Sequence, residues 1–147
     1  MKKLKSKKNS FILFVIVAAT ILAIPVLNSL QNSTSETSAQ TRQLAPHYIE
    51  YSEENLANAL QNERVVLYFW APWCSTCSVL DDELMERSSE LPDDVTIIKV
   101  NFDTQKDLKQ KYFVTTQHAL VQIDRNGNEI DKWVGGDVDF LKKMLSY

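Results

Sequence analysis

The chain contains 147 residues, of which 44% are hydrophobic and 24% are charged, with three glycines and four prolines. This composition predicts one globular domain of ordinary size plus a short extra segment, and it argues against a low-complexity or collagen-like chain. After Gln40, 11 basic residues stand against 18 acidic residues, which gives this part a net charge of −7. An acidic domain is repelled by phosphates, so nucleic acid is not expected among its partners.

The N-terminus combines a basic segment with a long apolar stretch. Residues 1–10 contain five lysines and no acidic residue, and residues 11–30 contain no charged residue. About 20 apolar residues cross the hydrocarbon core of a bilayer, whereas a cleaved signal peptide usually has a shorter apolar stretch. We therefore predict a single transmembrane anchor at 11–30, with a removed signal peptide as the alternative. The lysines predict that 1–10 is cytoplasmic and that the C-terminal domain lies on the extracytoplasmic side of the cell membrane.

A polar segment rich in serine and threonine follows, and it predicts a flexible tether over residues 31–45. The rest of the chain, 46–147, carries the patterns of regular secondary structure. The predicted strands are 47–52, 64–70, 95–102, 119–124 and 129–134. The predicted helices are 52–63, 74 to about 90, 103–112 and 137–146.

This order, β-α-β-α-β-α-β-β-α, predicts an α/β fold with a mixed, mostly parallel sheet flanked by helices. Residues 64–70 and 95–102 are continuous apolar runs, which are typical of strands buried on both faces. Asn126-Gly127 predicts a tight turn that makes the last two strands antiparallel. Ser52, Asp103 and Asp137 are the predicted N-caps of three helices.

Cys74 and Cys77 are the two cysteines of the chain. Such a pair can bind a metal, cycle as a disulfide, or simply pack. Cys74 follows a predicted buried strand and opens a helix, whose N-terminus favours a thiolate and so lowers the pKa of the thiol. The cysteines are almost one helical turn apart, so their sulfurs can meet. A dithiol so placed can attack a substrate disulfide with Cys74 and resolve the mixed disulfide with Cys77.

The segment VVLYFWAPWCSTC resembles the active-site segment of the thioredoxin family. The resemblance continues in KVNFD, which is similar to the end of the family's central strand, and in YFVTTQHALVQID, which matches the segment that normally carries a cis-proline. It ends in DRNGNEIDKWVGG, which matches the last hairpin and its glycine. In all it covers residues 47 to 147, after the predicted transmembrane helix.

The resemblance implies a thioredoxin-like fold and a thiol–disulfide oxidoreductase. It also implies that Cys74 is the nucleophile, Cys77 is the resolving thiol, and Trp73 is the flat apolar neighbour of the substrate. Pro72 and Gln117 are expected to contact substrate or to tune the site. No cofactor is implied beyond the redox-active disulfide.

The chain departs from the family pattern at three places. Ser75-Thr76 stands between the cysteines, where thioredoxins usually have Gly-Pro. Tyr68 stands where the family carries a buried aspartate that helps to deprotonate the second cysteine, although Lys99, the usual partner of that acid, is present. His118 stands at the cis-proline position. The loss of the proline between the cysteines predicts an altered redox potential.

His118 has three alternative interpretations. It can act as a general base for Cys77 or contact substrate, it can be a metal ligand beside two thiolates, or it can be a histidine without a role. A cis peptide before a residue other than proline costs about 2.5–4 kcal/mol, so we predict that the Gln117–His118 peptide is trans. The remaining features have structural interpretations: Phe69 and Trp70 are predicted to be core residues. Asp81, Asp82, Glu83 and Glu86 are predicted to form a solvated helix face.

Three functions follow from these observations. The first is a membrane-tethered, extracytoplasmic oxidoreductase that acts on protein disulfides and dithiols, and a reducing role would need a membrane electron donor. The second is a metal-binding or metal-delivery module that uses Cys74, Cys77 and His118. The third is a non-catalytic binding domain of the same fold, against which the intact cysteine pair argues.

Overall fold

A six-stranded sheet runs through the part of the chain that the computed structural model describes, residues 42–62 and 64–146. The strands are β1 (Gln43–Ala45), β2 (Tyr48–Glu50), β3 (Arg64–Trp70), β4 (Val95–Asn101), β5 (Ala119–Ile123) and β6 (Glu129–Val134). The helices are α1 (Glu53–Asn62), α2 (Ser75–Arg87), α3 (Lys106–Lys111) and α4 (Val138–Met144), with a 3-10 turn at Ser88–Glu90 after α2.

The strand order across the sheet is β1-β2-β4-β3-β5-β6. The pairs β2·β4 and β3·β4 are parallel, whereas β1·β2, β3·β5 and β5·β6 are antiparallel. The predicted α/β architecture and its mixed sheet are confirmed. The expectation of a mostly parallel sheet is wrong for the described strands, because an antiparallel pair is present at each edge and β5 runs opposite to β3.

The edge strand β1 was not expected from the sequence. Its residues pair with β2 across a short turn, so the last three residues of the predicted tether, 31–45, belong to the sheet. The predicted basic segment 1–10, the predicted anchor 11–30 and the remainder of the tether up to residue 41 lie outside the described residues. Within the described ranges, no helix has the length and apolar character needed to cross a membrane.

The central strands β3 and β4 are buried on both faces. Residues 65–69 of β3 are fully buried, and so are Ile97, Ile98 and Val100 of β4. Alternate side chains point to opposite faces of a strand, so each strand feeds two cores. Val66 and Tyr68 face a core that includes Leu80 and Leu84 of α2 and Leu141 of α4. Their neighbours Val65, Leu67 and Phe69 face a second core, with Ala59 of α1 and Leu108 of α3 packed against it.

The helix ends test the predicted caps. Ser52 and Asp137 act as predicted: Ser52 Oγ accepts the N–H of Asn55 at 3.0 Å, and Asp137 Oδ1 accepts the N–H of Phe140 at 2.7 Å. Asp103 is not the cap of α3, which begins three residues later at Lys106.

Asn101 explains the late start of α3. Its Oδ1 accepts the N–H groups of Asp103 and Thr104, at 2.9 Å and 3.1 Å, which holds the chain in a turn directly after β4. An asparagine side chain that binds the backbone two residues ahead competes with helix formation. The turn leaves the Asp103 carboxylate available to accept a hydrogen bond from the ring of Trp73.

Candidate active site

The cysteine pair lies at the junction of β3 and α2. Cys74 is the N-cap of α2, and its Sγ accepts the N–H of Cys77 at 3.1 Å. The two sulfurs form a disulfide, and both residues are buried. The free N–H groups at the start of a helix carry partial positive charge, which stabilises a thiolate on Cys74 once the disulfide is reduced.

Trp73 presents an exposed ring beside the disulfide, with 60% of its surface accessible. Its Nε1 donates to Asp103 Oδ2 at 3.0 Å, and its ring meets Phe102 edge to face, with the centroids 6.4 Å apart. The turn at Asn101 therefore positions Asp103 to hold this ring in place. Pro72, which precedes it, is exposed as well.

His118 lies directly before β5, and the fold brings it next to the cysteines. Its ring Nδ1 is 3.0 Å from Thr76 Oγ1, and the same hydroxyl oxygen is 3.4 Å from Cys74 Sγ. The Gln117–His118 peptide is trans, as predicted, since the described chain contains no cis peptide. The backbone of His118 is left-handed, with φ of 60°, and it is held by bonds from its N–H to Phe69 O and from Gly135 N–H to its own carbonyl, at 2.8 Å and 2.9 Å.

The imidazole of His118 is buried, with 7% of the residue exposed. Burial lowers the pKa of His118. A weaker opposing effect, hydrogen bonding with the backbone of Gly136, raises it. Among the described residues, Nε2 has no hydrogen-bond partner of ordinary geometry. Cys74, Cys77 and His118 each bring one ligand atom to a cluster in which all three atoms lie within 4.8 Å of one another.

An open groove with a volume of about 680 Å³ borders His118. Its lining includes Thr76, Val79, Gln117, His118, Gly136 and Phe140. Val79 is 61% exposed, so the groove offers apolar surface to a partner next to the disulfide. Gln117 is half-buried, and its Oε1 is 3.3 Å from the Thr116 hydroxyl.

Lys99 has an acidic partner that the sequence did not reveal. Its Nζ donates to Asp81 Oδ2 at 2.7 Å, and the Tyr48 hydroxyl donates to Oδ1 of the same carboxylate. The ammonium group also lies 4.1 Å from the centroid of the Trp70 ring. Lys99 and Asp81 are both largely buried, with 14% and 20% of their side chains exposed.

Asp81 corrects the prediction of a solvated acidic face on α2. Asp82 and Glu86 are exposed, as expected, but Asp81 points into the protein, and Glu83 is half-buried and accepts the N–H of Val138 at 3.0 Å. Asp81 lies four residues after Cys77 on α2, and this spacing places both on one face of a helix. That spacing is the sequence signal by which Asp81 could have been found.

Tyr68 occupies the position of the missing aspartate and binds the active-site helix. Its hydroxyl donates to the carbonyl of Cys77 at 2.8 Å. Burial raises the pKa of Tyr68, and the nearby charge of Asp81 adds to this shift. Burial also raises the pKa of Tyr48, with the hydrogen bond to Asp81 as the next cause. Both phenols are therefore neutral hydrogen-bond donors.

Comparison with known proteins places this geometry in a family. The family model described as Thioredoxin matches residues 47–146. Thioredoxin from Chlamydia trachomatis is 34% identical over 96 residues, which cover 65% of this chain and 92% of that protein. Thioredoxin from Rickettsia bellii is 33% identical over 85 residues, which cover 58% of this chain and 77% of that protein.

Solved structures agree with the sequence matches. Trxlp from Edwardsiella tarda superposes with a TM-score of 0.57 at 29% identity, over 65% of this chain and 96% of its own length. Fasciola hepatica thioredoxin superposes with a TM-score of 0.54 at 28% identity, over 63% of this chain and 88% of its own. These matches confirm the thioredoxin-like fold that the sequence resemblance implied. With its cysteine pair joined as a disulfide at the start of α2, this chain belongs to the thioredoxin family of thiol–disulfide oxidoreductases.

Proposed function

We propose that this protein is a membrane-tethered oxidoreductase that exchanges disulfides with proteins outside the cytoplasm. The observation that carries the redox part is the Cys74–Cys77 disulfide at the N-terminus of α2, beside an open apolar groove. The tether and the location are supported by the lysine-rich segment 1–10 and the uncharged segment 11–30. A disulfide is also stable in an oxidising compartment.

The reductive direction has two steps. The Cys74 thiolate attacks one sulfur of a client disulfide, forms a mixed disulfide, and releases the first client thiolate. Cys77 then loses its proton and attacks Cys74 Sγ, which releases the second client thiol and restores the Cys74–Cys77 disulfide. Two electrons pass from the pair to the client, and the reverse sequence oxidises a client dithiol.

Neighbouring groups support the first step in a defined way. The N–H of Cys77 donates to Cys74 Sγ, and the Thr76 hydroxyl lies close enough to do so as well. Hydrogen bonds to the charged form of a group favour that form, so both contacts favour the Cys74 thiolate. Exposed apolar side chains next to the sulfurs, Trp73 and Val79, suit the binding of a protein client.

Sustained reduction outside the cytoplasm needs an electron source. Both cysteines of the given sequence, Cys74 and Cys77, belong to the active-site pair. A reducing role therefore requires a membrane electron donor, and an oxidising role requires an acceptor. The midpoint potential decides between these two directions, because it sets which reaction is favourable.

A redox titration of the full chain in a mild detergent tests the activity. Free thiols are trapped by alkylation at defined potentials and counted by mass. We expect one reversible two-electron transition between about −270 and −120 mV, the range of related oxidoreductases. A Cys77→Ser variant should lose the transition and accumulate mixed disulfides through Cys74, whereas Ser78→Ala is the matched control and should titrate like the wild type. A pair that stays reduced or oxidised throughout contradicts the proposal.

The location has its own test. In intact cells, a membrane-impermeant maleimide should label reduced Cys74 in a Cys77→Ser variant, and a membrane-permeant maleimide should label it to the same extent. Labelling by the permeant reagent alone would place the domain inside the cell. If the protein is recovered in the soluble fraction without residues 1–30, this segment is a cleaved signal peptide and not a membrane anchor.

A further inference from the structure

Three side chains with metal-binding atoms meet at the redox site. Cys74 Sγ, Cys77 Sγ and one ring nitrogen of His118 lie within 4.8 Å of one another, and all three residues are buried. Soft thiolates with an imidazole are ligands that zinc prefers in proteins. We propose that the reduced form of this protein binds one zinc ion through Cys74, Cys77 and His118.

The size of the cluster fits this ion. Zinc binds sulfur at about 2.3 Å and imidazole nitrogen at about 2.0–2.1 Å, so the ligand atoms of a tetrahedral site lie roughly 3.3–3.8 Å apart. The three atoms are already within 4.8 Å, so they reach this arrangement through small side-chain rotations once the sulfurs are no longer bonded. Three protein ligands leave the fourth position of the tetrahedron open, as in zinc sites that bind water or substrate.

The two ring nitrogens of His118 have different surroundings. Its Nε2 has no hydrogen-bond partner of ordinary geometry among the described residues, although the ring is buried and the backbone of Gly136 is nearby. Its Nδ1 meets the Thr76 hydroxyl at 3.0 Å. Ligating histidines commonly bind a second group through the other ring nitrogen, which fixes the orientation of the ring.

The backbone at His118 adds an independent observation. A φ of 60° is uncommon for residues other than glycine, and such conformations persist where the surrounding structure enforces them. Here the N–H and carbonyl of His118 are both bonded, to Phe69 and Gly135. These two bonds fix the backbone from which the imidazole extends.

Zinc binding requires that the Cys74–Cys77 disulfide is first reduced, and a dithiol can serve as the reductant. The dithiol gives two electrons to the Cys74–Cys77 disulfide and becomes a disulfide itself, and the two protons on the resulting thiols leave when Zn²⁺ binds the thiolates. Bound zinc then occupies both sulfurs, so it blocks disulfide exchange until the zinc is removed.

Because Thr76 and His118 line the groove, a client thiolate in the groove can reach the open fourth coordination position of the zinc. This inference rests on the proposed function in one respect, that the disulfide can be reduced.

Zinc content measured in both redox states tests the proposal. The full chain in a mild detergent is reduced by a phosphine or left oxidised, mixed with Zn²⁺, freed of unbound metal and analysed by mass spectrometry. We expect about one zinc per reduced chain and none per oxidised chain. Co²⁺ in place of Zn²⁺ should give a thiolate-to-metal absorption band with the reduced chain.

Two histidines allow a matched comparison, since His47 and His118 both have positive φ, 58° and 60°. Asparagine tolerates this conformation, so His47→Asn and His118→Asn keep the backbone unstrained. We expect His118→Asn to bind zinc at least roughly 10–100-fold more weakly, the loss seen even for groups that only support a ligand. We expect His47→Asn to bind zinc like the wild type.

The outcomes separate the two proposals. A reversible redox transition in chelator-treated protein, together with no zinc in the reduced chain, overturns the metal site and leaves the oxidoreductase intact. Equal zinc affinity in His118→Asn and the wild type, with both variants folded by circular dichroism, also overturns the assignment of His118. A pair that holds zinc but never closes as a disulfide contradicts the proposed redox function and supports the metal site.

Discussion

Asp81 supplies Lys99 with a carboxylate partner from a different element than the sequence resemblance led us to expect. The family's buried acid is absent from β3, where Tyr68 stands, yet Lys99 still has a carboxylate 2.7 Å away because α2 supplies one. Tyr68 and Cys77 belong to the same buried cluster as Tyr48, and the Tyr48 hydroxyl donates to Asp81. The charge therefore comes from the helix instead of the strand, while the lysine is unchanged.

Replacing Asp81 tests this network. Asp81→Asn keeps the shape of the side chain but leaves the Lys99 ammonium without its counter-charge in a largely buried place. We expect the free energy of unfolding to fall by about 1–3 kcal/mol, the range for a buried polar group that loses its partner. Urea denaturation measures it. Asp82→Asn, on the exposed side of the same helix, should change stability by less than about 0.5 kcal/mol; equal losses in the two variants would contradict the role assigned to Asp81.

At the scale of elements, α2 is held at both ends. Its first turn carries the disulfide, and its last turn is joined to α4 by a group of ion pairs. Arg87 binds Glu90 and Asp139 at 2.9 Å and 2.8 Å, and Lys142 binds Glu90 at 2.7 Å. Hydrogen bonds from Arg87, and then from Lys142, lower the pKa of Glu90 to about 2.

This shift predicts a pH dependence of stability. The pKa of Glu90 is lower in the folded chain, about 2, than in the unfolded chain, about 4.3, so the unfolded chain binds more protons between these values. The stabilising contribution of Glu90 is thus fully present above about pH 4.3 and is lost as the pH falls towards about 2. We expect the stability difference between the wild type and Glu90→Gln to be smaller at pH 3 than at pH 7, as measured by urea denaturation.

The control for this prediction is Glu54→Gln, which removes an exposed carboxylate from α1. It should leave the acid dependence of the wild type unchanged. Because the Glu90 pairs are solvent-exposed, 1 M salt should also reduce the difference caused by Glu90→Gln. A difference that is equal at pH 3 and pH 7 would show that the ion pairs do not stabilise the fold.

For the whole molecule, stability depends on two cores that share one sheet. Each central strand sends alternate side chains to the core beneath α2 and α4 and to the core beneath α1 and α3. The active site lies at the end of the first of these cores, and Cys77 itself is part of it. A loss of packing there affects the stability of the fold and the position of the resolving cysteine together.

Neighbouring residues of α2 test the packing. Leu84 is fully buried, whereas Met85 is 48% exposed. We expect Leu84→Ala to lower the free energy of unfolding by about 2–5 kcal/mol, because it removes buried methyl groups and leaves a cavity. Met85→Ala should change it by less than about 0.5 kcal/mol. Chemical denaturation of the oxidised chain gives both values, and similar losses at the two positions would show that α2 packs differently.

The amino-acid sequence by itself determined the order of the main elements, the burial of β3 and β4, and the redox pair. These features depend on residues close together in the chain: continuous apolar runs, a cysteine at the junction of a strand and a helix, and a turn at Asn126-Gly127. The three-residue strand β1 was not predicted, because so short a segment shows no repeating pattern of apolar and polar residues. It is ordered by its pairing with β2.

Tertiary structure alone decided the chemistry around the disulfide. Asp81 meets Lys99 across 18 positions of the chain, and Thr76 meets His118 across 42. The resemblance to the family aligned His118 with a position near the sulfurs, but it gave no partner for either ring nitrogen. Such contacts depend on which side chains α2 directs towards β4 and towards the segment before β5, and helix packing on the sheet sets those directions. The sequence therefore identified the reactive sulfurs, and the fold selected the groups that surround them.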